Sequence, residues 1–315
     1  MAFFERIPGG FPAAASAARA LRPDPARPGR TLPAVEKLEG PRRADPLLGP
    51  LRGAVRATLP EGARDALHGR WLGHPAHPLM VQVPIGTWLS AALLDLLPGR
   101  RGSAGALVAV GLAAALPAAL AGLNDWAELR KPQMRVGLAH AATNTAAVAL
   151  YTASLTARLR GRRMAGRGLG FAGLVTVGVG GALGGHLAYR QAAGAQHADG
   201  VAAAVEPGWH PLGRLAEFPV GVPVRHLLGD VPVLVYREGG ETVRALADRC
   251  GHMGGPLSGG TVEGGCVRCP WHGSTFRLTD GWNVHGPATA PQPAFECRVT
   301  GGRVEVRLPA AEKEV

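Results

Sequence analysis

Four apolar stretches in the first two thirds of this 315-residue chain limit its fold more than any other feature. They are Pro78–Leu97, Ala104–Leu123, Val136–Leu155 and Leu169–Tyr189, each about the twenty residues that a helix needs to cross the hydrocarbon of a bilayer. The second holds no ionisable residue, and none shows the polar face at a 3.6-residue period that a soluble bundle requires. An all-α transmembrane domain of four helices is therefore expected over residues 71–190, in a multi-pass protein of the cell membrane. The last stretch also spaces Gly173, Val177, Gly181 and Gly185 four apart, which allows close helix packing.

Polar residues inside such a domain are few and costly, so each is a candidate for function. Because successive helices reverse direction, His77 at the start of the first, His140 near the start of the third and His186 near the end of the fourth fall at one membrane face. They are expected either to hold a haem or a quinone, or to be interfacial and helix-packing histidines; the second is the simpler reading. His140 and Asn144 share a helix face at i,i+4, while Asp95 closes the first helix and Asp125 follows the second.

Loop charge leaves the orientation open. Arg100, Arg101, Arg158, Arg160, Arg162, Arg163 and Arg167 lie on one side, and Arg64, Arg70, Arg130, Lys131, Arg135 and Arg190 on the other, so neither side has the clear excess that marks the cytoplasm. Residues 1–70 hold ten Pro and frequent Arg, and are expected to form a basic arm without fixed structure and without a signal peptide. Arg162-Arg163 is a poor match to a twin-Arg export signal.

Charge divides the chain in two. Eleven Lys and Arg against 12 Asp and Glu lie from Val201 onward, so of the net +11 the first 200 residues carry +12. No element that reads bases accompanies that charge, so a lipid bilayer is the expected partner and nucleic acid is not. After an Ala/Gly-rich connector at 191–205, short β-branched runs bounded by Gly, Pro and Asp replace the helical pattern. Val222–Leu228, Val231–Arg237, Thr242–Ala247, Cys266–Cys269, Thr275–Leu278, Glu296–Thr300 and Arg303–Leu308 are strand candidates. Residues 206–309 are expected to form an all-β sandwich or barrel, followed by a tail at 310–315.

Within that β region stand Cys250-Gly251-His252 and Cys269-Pro270-Trp271-His272, two thiols and two imidazoles in the order Cys-x-His, sixteen residues, Cys-x-x-His. Such a set suits a tetrahedral zinc ion, or a [2Fe-2S] cluster in which two His replace two Cys on one iron. Zinc sites of this composition pair their histidines on a helix, whereas here each His is tied to its own Cys in a glycine-rich loop, which favours iron. The remaining Cys266 and Cys297 are expected to be ordinary half-buried thiols, with a disulfide only in an oxidising compartment.

Cys250-x-His252 with Cys269-Pro270-x-His272-Gly273 resembles the Rieske iron-sulfur signature, and the similarity runs from Trp209 to Leu308. The resemblance implies that Cys250 and Cys269 hold one iron, that His252 and His272 hold the other and face a redox partner protein, and that a Pro-rich loop after Gly286-Pro287 covers the cluster. High-potential relatives carry a disulfide where this chain has Gly255 and Trp271, and a Tyr where it has Phe276, although Ser274 keeps the tuning hydroxyl. A ferredoxin- or oxygenase-type centre of low to intermediate potential is therefore expected. His74-Pro75-x-His77-Pro78, Pro84-Ile85-Gly86, Asp95 and Gly184-Gly185-x-Leu187-x-Tyr189 resemble the membrane-protein family DUF2231 over His68 to Arg190.

Together these features lead to a membrane-anchored carrier of single electrons between a redox partner and a membrane acceptor or donor, or a second enzyme. Only seven residues follow Leu308, so the mononuclear iron domain of a complete Rieske oxygenase is not expected. Two other readings stay open: a membrane oxidoreductase with haem or quinone in its helices, and a membrane redox sensor or scaffold.

Overall fold

The computed structural model describes residues 31–40, 45–97 and 101–309; residues 1–30 of the expected arm and the tail 310–315 lie outside them. Between residues 31 and 70 the expected loose arm is replaced by helices α1 (Thr31–Glu39), α2 (Asp45–Thr58) and α3 (Glu61–His68). Two of the prolines that weigh against helix in the sequence sit where helices begin. Pro46 is the second residue of α2 and Pro60 is the N-cap of α3, positions where a missing N–H costs nothing. Buried Leu48 and half-buried Val55 of α2 then pack on Trp126, Leu129 and Met134.

Three arginines of this segment are held by specific acceptors. Arg56 and Arg64 both reach the buried carboxylate of Glu128, at 2.5 and 2.6 Å, and Arg52 donates to the Leu129 carbonyl at 2.6 Å. Asp45 receives Arg135 of a later helix. The described residues from 31 to 190 therefore form one helical body, and Arg52, Arg56 and Arg64, counted as part of an arm, are among its internal ties.

Helices α4 (His77–Met80), α5 (Gln82–Leu96), α6 (Arg101–Trp126), α7 (Lys131–Leu159) and α8 (Arg163–Gly185) follow, with α8 continued by a π-helical turn at His186–Arg190. Among the described residues three spans, His77–Leu96, Gly102–Trp126 and Arg163–Arg190, are long and apolar enough to cross a membrane. The third of the four expected spans, now α7, is not among them. It is the polar spine of the bundle, carrying Gln133, His140, Asn144, Tyr151, Ser154 and Arg158 toward its neighbours. Tyr151 stacks on Trp88 of α5 at 4.1 Å between centroids, and Arg158 grips both oxygens of Asp95 at 2.9 and 2.5 Å.

The small-residue face of α8 also differs from the four-residue spacing. Gly166, Gly170, Gly173, Val177, Gly180 and Leu183 are buried, whereas Gly181 has nothing within 4 Å of where its Cβ would stand. A strict spacing of four drifts around a helix of 3.6 residues per turn, and the packed face alternates threes and fours instead. Gly173 meets Tyr151 and Gly180 meets Asn144, so the missing side chains make room for the polar spine of α7.

Past a single helical turn, α9 (Val201–Ala204), the chain becomes antiparallel sheet. β1 (His210–Arg214), β2 (Pro223–Leu228), β3 (Val231–Gly239), β4 (Thr242–Ala247), β9 (Ala294–Thr300) and β10 (Arg303–Arg307) form one sheet in the order β1-β10-β9-β4-β3-β2. β5 (Thr261–Glu263), β6 (Cys266–Arg268), β7 (Thr275–Arg277) and β8 (Asn283–His285) form the second, in sequence order. Gly301 and Gly302, both at positive φ, close the β9–β10 hairpin in the backbone conformation that a two-residue turn requires. β1, β5 and β8 are additions to the strands expected from sequence. Two are only three residues long, and β1, with Pro211 and Gly213, has no alternating pattern.

Between the sheets, Leu234 and Leu246 of the larger meet Val267, Phe276 and Leu278 of the smaller, and Cys250 and Cys269 belong to the same buried cluster. The smaller sheet with its loops is thus fastened to the larger at the place where the two cysteines lie.

Candidate iron-sulfur site

The two motif loops are built alike. In the first, Cys250 N–H bonds the Gly255 carbonyl at 2.8 Å and Gly254 N–H returns to the Cys250 carbonyl at 2.8 Å. In the second, Cys269 N–H bonds the Ser274 carbonyl at 2.8 Å and Gly273 N–H returns to the Cys269 carbonyl at 3.1 Å. Gly254 and Gly273 occupy equivalent places, with φ of 75° and 77°, a backbone conformation costly for any residue with a Cβ. Each loop therefore turns its cysteine inward and lets the following histidine stand at the rim.

The result brings together the four residues expected from sequence. The Cys250 and Cys269 side chains are buried in one cluster, and the rings of His252 and His272 lie 5.0 Å apart, edge to face. The neighbouring Cys250 holds the Cys269 thiol down at about 6, opposed by burial and aided by the N–H groups of Trp271 and His272, while Cys269 and burial push Cys250 well up. Burial, then the neighbouring His272, His68, His197 and Arg56, pushes His252 well below the usual imidazole value; burial lowers His272 as well. Both imidazoles are thus neutral at neutral pH, the form in which they can bind a metal.

His252 Nδ1 is buried and has no hydrogen-bond partner among the described residues. An orphaned ring nitrogen beside two sulfurs is an unpaired donor set, and such groups are costly unless something binds them. Space is kept as well, since a Cβ on Gly255 would stand 3.0 Å from Cys269 Sγ and 2.9 Å from Trp271 Cδ2. Among the described residues no three His, Cys, Asp or Glu converge on one point as a mononuclear metal would need. A two-iron cluster asks less, because each iron takes only two protein ligands. The residues present fit such a cluster.

Two of the supports around the site, Gln292 and Asp248, carried no signature in the sequence. Gln292, in the Pro-rich run after β8, is 2 % exposed; its Oε1 accepts from Gly251 N–H, and its Nε2 donates to the Ala247 and Arg249 carbonyls. Ser274 Oγ accepts the Ala288 N–H at 3.1 Å, which pins the same run over the second loop and leaves the hydroxyl proton free to donate. Phe276 is fully buried and brings no hydroxyl. Asp248 braces the start of the first loop through Ser258 N–H at 2.6 Å.

The helical body reaches the site too. Asp65 of α3, 6 % exposed, accepts from Gly286 N–H at 3.0 Å and from His285 Nδ1 at 3.2 Å, and so ties the Gly286-Pro287 turn to the helices. In the connector, His197 N–H bonds the Gly251 carbonyl, and Gln196 fills the space beside Gly251. A crevice of about 20 Å³ remains between Pro75, Gln196, His252 and Pro287, room for about one water.

The histidines expected to converge in the helices do so only in part. His77 and His140 meet with centroids 6.2 Å apart, their Nδ1 atoms bonded to the Ala118 and Gly180 carbonyls. His186 is elsewhere, bonded through Nε2 to Glu39 of α1 at 2.7 Å. The expected reversal of successive helices puts the three on one level, but level alone does not decide which helix face each occupies. Cys266 and Cys297, like the other two cysteines, are free thiols.

An all-β domain with paired thiols and imidazoles on two matched loops defines an iron-sulfur protein of the electron-transfer class. The chain belongs to the Rieske [2Fe-2S] family, whose domain model matches residues 208–296, and its cofactor is the [2Fe-2S] cluster of that family. A second model, for predicted membrane proteins (DUF2231), matches residues 73–197. The anthranilate 1,2-dioxygenase ferredoxin subunit of Burkholderia cepacia is 38% identical over 100 residues, which are 32% of this chain and 92% of that protein. Ferredoxin CarAc of Metapseudomonas resinovorans is 38% identical over 87 residues, 28% of this chain and 78% of that one. Among solved structures, the ferredoxin of carbazole 1,9a-dioxygenase from Nocardioides aromaticivorans IC177 is 24% identical, with 32% of this chain and 98% of that one covered and a TM-score of 0.31.

Proposed function

We propose that this protein is a membrane-anchored carrier of single electrons, in which Cys250 and Cys269 hold one iron of the cluster and His252 and His272 the other. The observation that supports it most directly is the pairing of two buried thiols with an orphaned imidazole nitrogen on two loops of the same construction. When bound, the cluster supplies one-electron chemistry at a potential raised by its two neutral ligands. The chain does the rest. Gly254 and Gly273 turn the loops, Gln292 and Ser274 hold the covering run in place, and burial keeps both imidazoles neutral.

The partner is a redox protein, as the ferredoxin subunits to which this chain is similar serve dioxygenases by name. The helical domain, with its three apolar spans, keeps the carrier at a membrane. With Phe276 in place of a hydroxyl donor and no disulfide between the loops, few hydrogen bonds stabilise the added electron, and the potential falls at the low to intermediate end of the Rieske range.

Purification of the full chain from membranes under anaerobic conditions tests this reading. Expected are two iron and two acid-labile sulfide per chain and an electron paramagnetic resonance signal that appears on one-electron reduction. Zinc without sulfide, or a chain recovered wholly in the soluble fraction, would overturn it.

A further inference from the structure

A groove of about 550 Å³ runs along the outer face of α7 and onto the start of α8, at the end of the helical body away from the β domain. Ala149, Ala153 and Ala157 form its floor, Leu169 flanks it, and Arg160 and Arg162 stand at its mouth. The hydroxyls that also line it are already used: Thr152 donates to the Val148 carbonyl at 2.8 Å and Thr156 to the Thr152 carbonyl at 2.9 Å. What remains is an apolar channel with two guanidinium groups at one end.

Its length is telling. From Ala149 to Arg160 a helix rises about 16 Å, close to half of the roughly 30 Å hydrocarbon core of a bilayer. The channel thus has about the length of one leaflet, with the two arginines at its end. The charge at that end is also one-sided. No Asp or Glu occurs in the sequence between Glu128 and Asp199, and Asp95, the carboxylate at this end, has both oxygens bonded by Arg158. Arg160 and Arg162 are exposed, with no acidic partner among the described residues. A basic pocket between membrane helices suits a lipid phosphate, and a choline headgroup would bring a positive charge against it.

Resting on the reading that these helices span a membrane, we propose that the groove holds one anionic phospholipid, its phosphate against Arg160 and Arg162 and one acyl chain along α7. The site is formed by the helical domain alone. It would tie α7 and α8, the helices that carry the polar spine, to the composition of the surrounding leaflet.

Native mass spectrometry of the full chain, released from nanodiscs of equal phosphatidylglycerol and phosphatidylcholine with matched acyl chains, tests it. One phosphatidylglycerol per chain is expected to stay bound. The double variant Arg160→Gln, Arg162→Gln, whose side chains make no bond that the fold needs, is expected to bind it about 25-fold more weakly, some fivefold for each charge. Ala153→Trp, which fills the floor, is expected to lose the lipid while both arginines remain. Cluster absorbance and helical circular dichroism of each variant report folding. Equal retention of the two lipids, undiminished phosphatidylglycerol on the double variant, or its displacement by millimolar glycerol 3-phosphate would overturn the proposal. The share of protein in the membrane fraction, measured on the same cells, separates failure of this site from failure of the membrane reading.

Discussion

Two pairs of histidines in this molecule look alike in sequence and are treated differently by the fold. His252 and His272 stand on glycine-rich loops, 5.0 Å apart, beside two buried thiols, and His252 Nδ1 is left without a partner. His77 and His140 stand in helices, 6.2 Å apart, and each spends its Nδ1 on a carbonyl of a facing helix, Ala118 and Gly180. Room is made for both of the latter by glycine, since a Cβ on Gly122 would stand 2.8 Å from the His77 ring and one on Gly184 3.2 Å from that of His140. Closeness alone therefore does not make a site. A nitrogen with its bond already made packs a helix, whereas a buried nitrogen with none, next to thiols, calls for a ligand.

The sharpest break in that comparison comes from the thiols. Cys250→Ser or Cys269→Ser is expected to abolish the visible absorbance and the reduced-state resonance signal, and His140→Ala to keep both at full occupancy. Iron and sulfide per chain measure it; loss of cluster in the His140 variant would erase the distinction. The next largest effect concerns what holds the helical body together beneath the β domain. Glu128→Ala removes a carboxylate that is 1 % exposed and leaves Arg56 and Arg64 without it. A loss of about 3 kcal/mol is expected, at the low end for a broken buried pair because both arginines reach solvent. Denaturant unfolding in detergent reads it.

Asp65→Ala tests whether the helices support the covering run. Loss of the bonds to Gly286 N–H and His285 is expected to cost about 1–3 kcal/mol locally. Faster amide hydrogen exchange at residues 286–290, with the sheets unchanged, is the readout. Ser274→Ala is expected to lower the reduction potential by about 65–130 mV, the equivalent of about 1.5–3 kcal/mol for a hydrogen bond to a charged group. An unchanged potential would mean that the Ser274 proton points away from the cluster.

The smallest effect concerns a thiol outside the site. Burial pushes Cys297 up from 9.0 to about 12, so the neutral thiol is the form the fold favours. Its contribution to stability is complete below about pH 9 and is lost as the pH rises toward 12. In the folded protein at pH 8 iodoacetamide is expected to spare Cys297, and peptide mass spectrometry after unfolding should find it free.

Much of the site was legible because its chemistry is local. Cys250, His252, Cys269 and His272 sit in short loops whose glycines leave a mark in the sequence, and Ser274 lies two residues further on. Gln292 and Asp65 left no such mark. A Gln among prolines and an Asp in a basic segment look like solvated residues until the chain returns across 41 residues to Gly251, or 221 to Gly286.

By itself, the sequence determined the two domain types and the donor set, since periodicity, apolar length and motif spacing are properties of neighbouring residues. Only the tertiary structure decided that the described residues of the basic N-terminal segment, 31–40 and 45–70, are largely helical, because Glu128, Arg135 and the Trp126 cluster that hold them lie far along the chain. It also decided that His186 bonds Glu39 and leaves His77 and His140 to meet without it. Helix rotation and the choice of hydrogen-bond partner are set by packing between distant segments, and one segment's composition does not encode them.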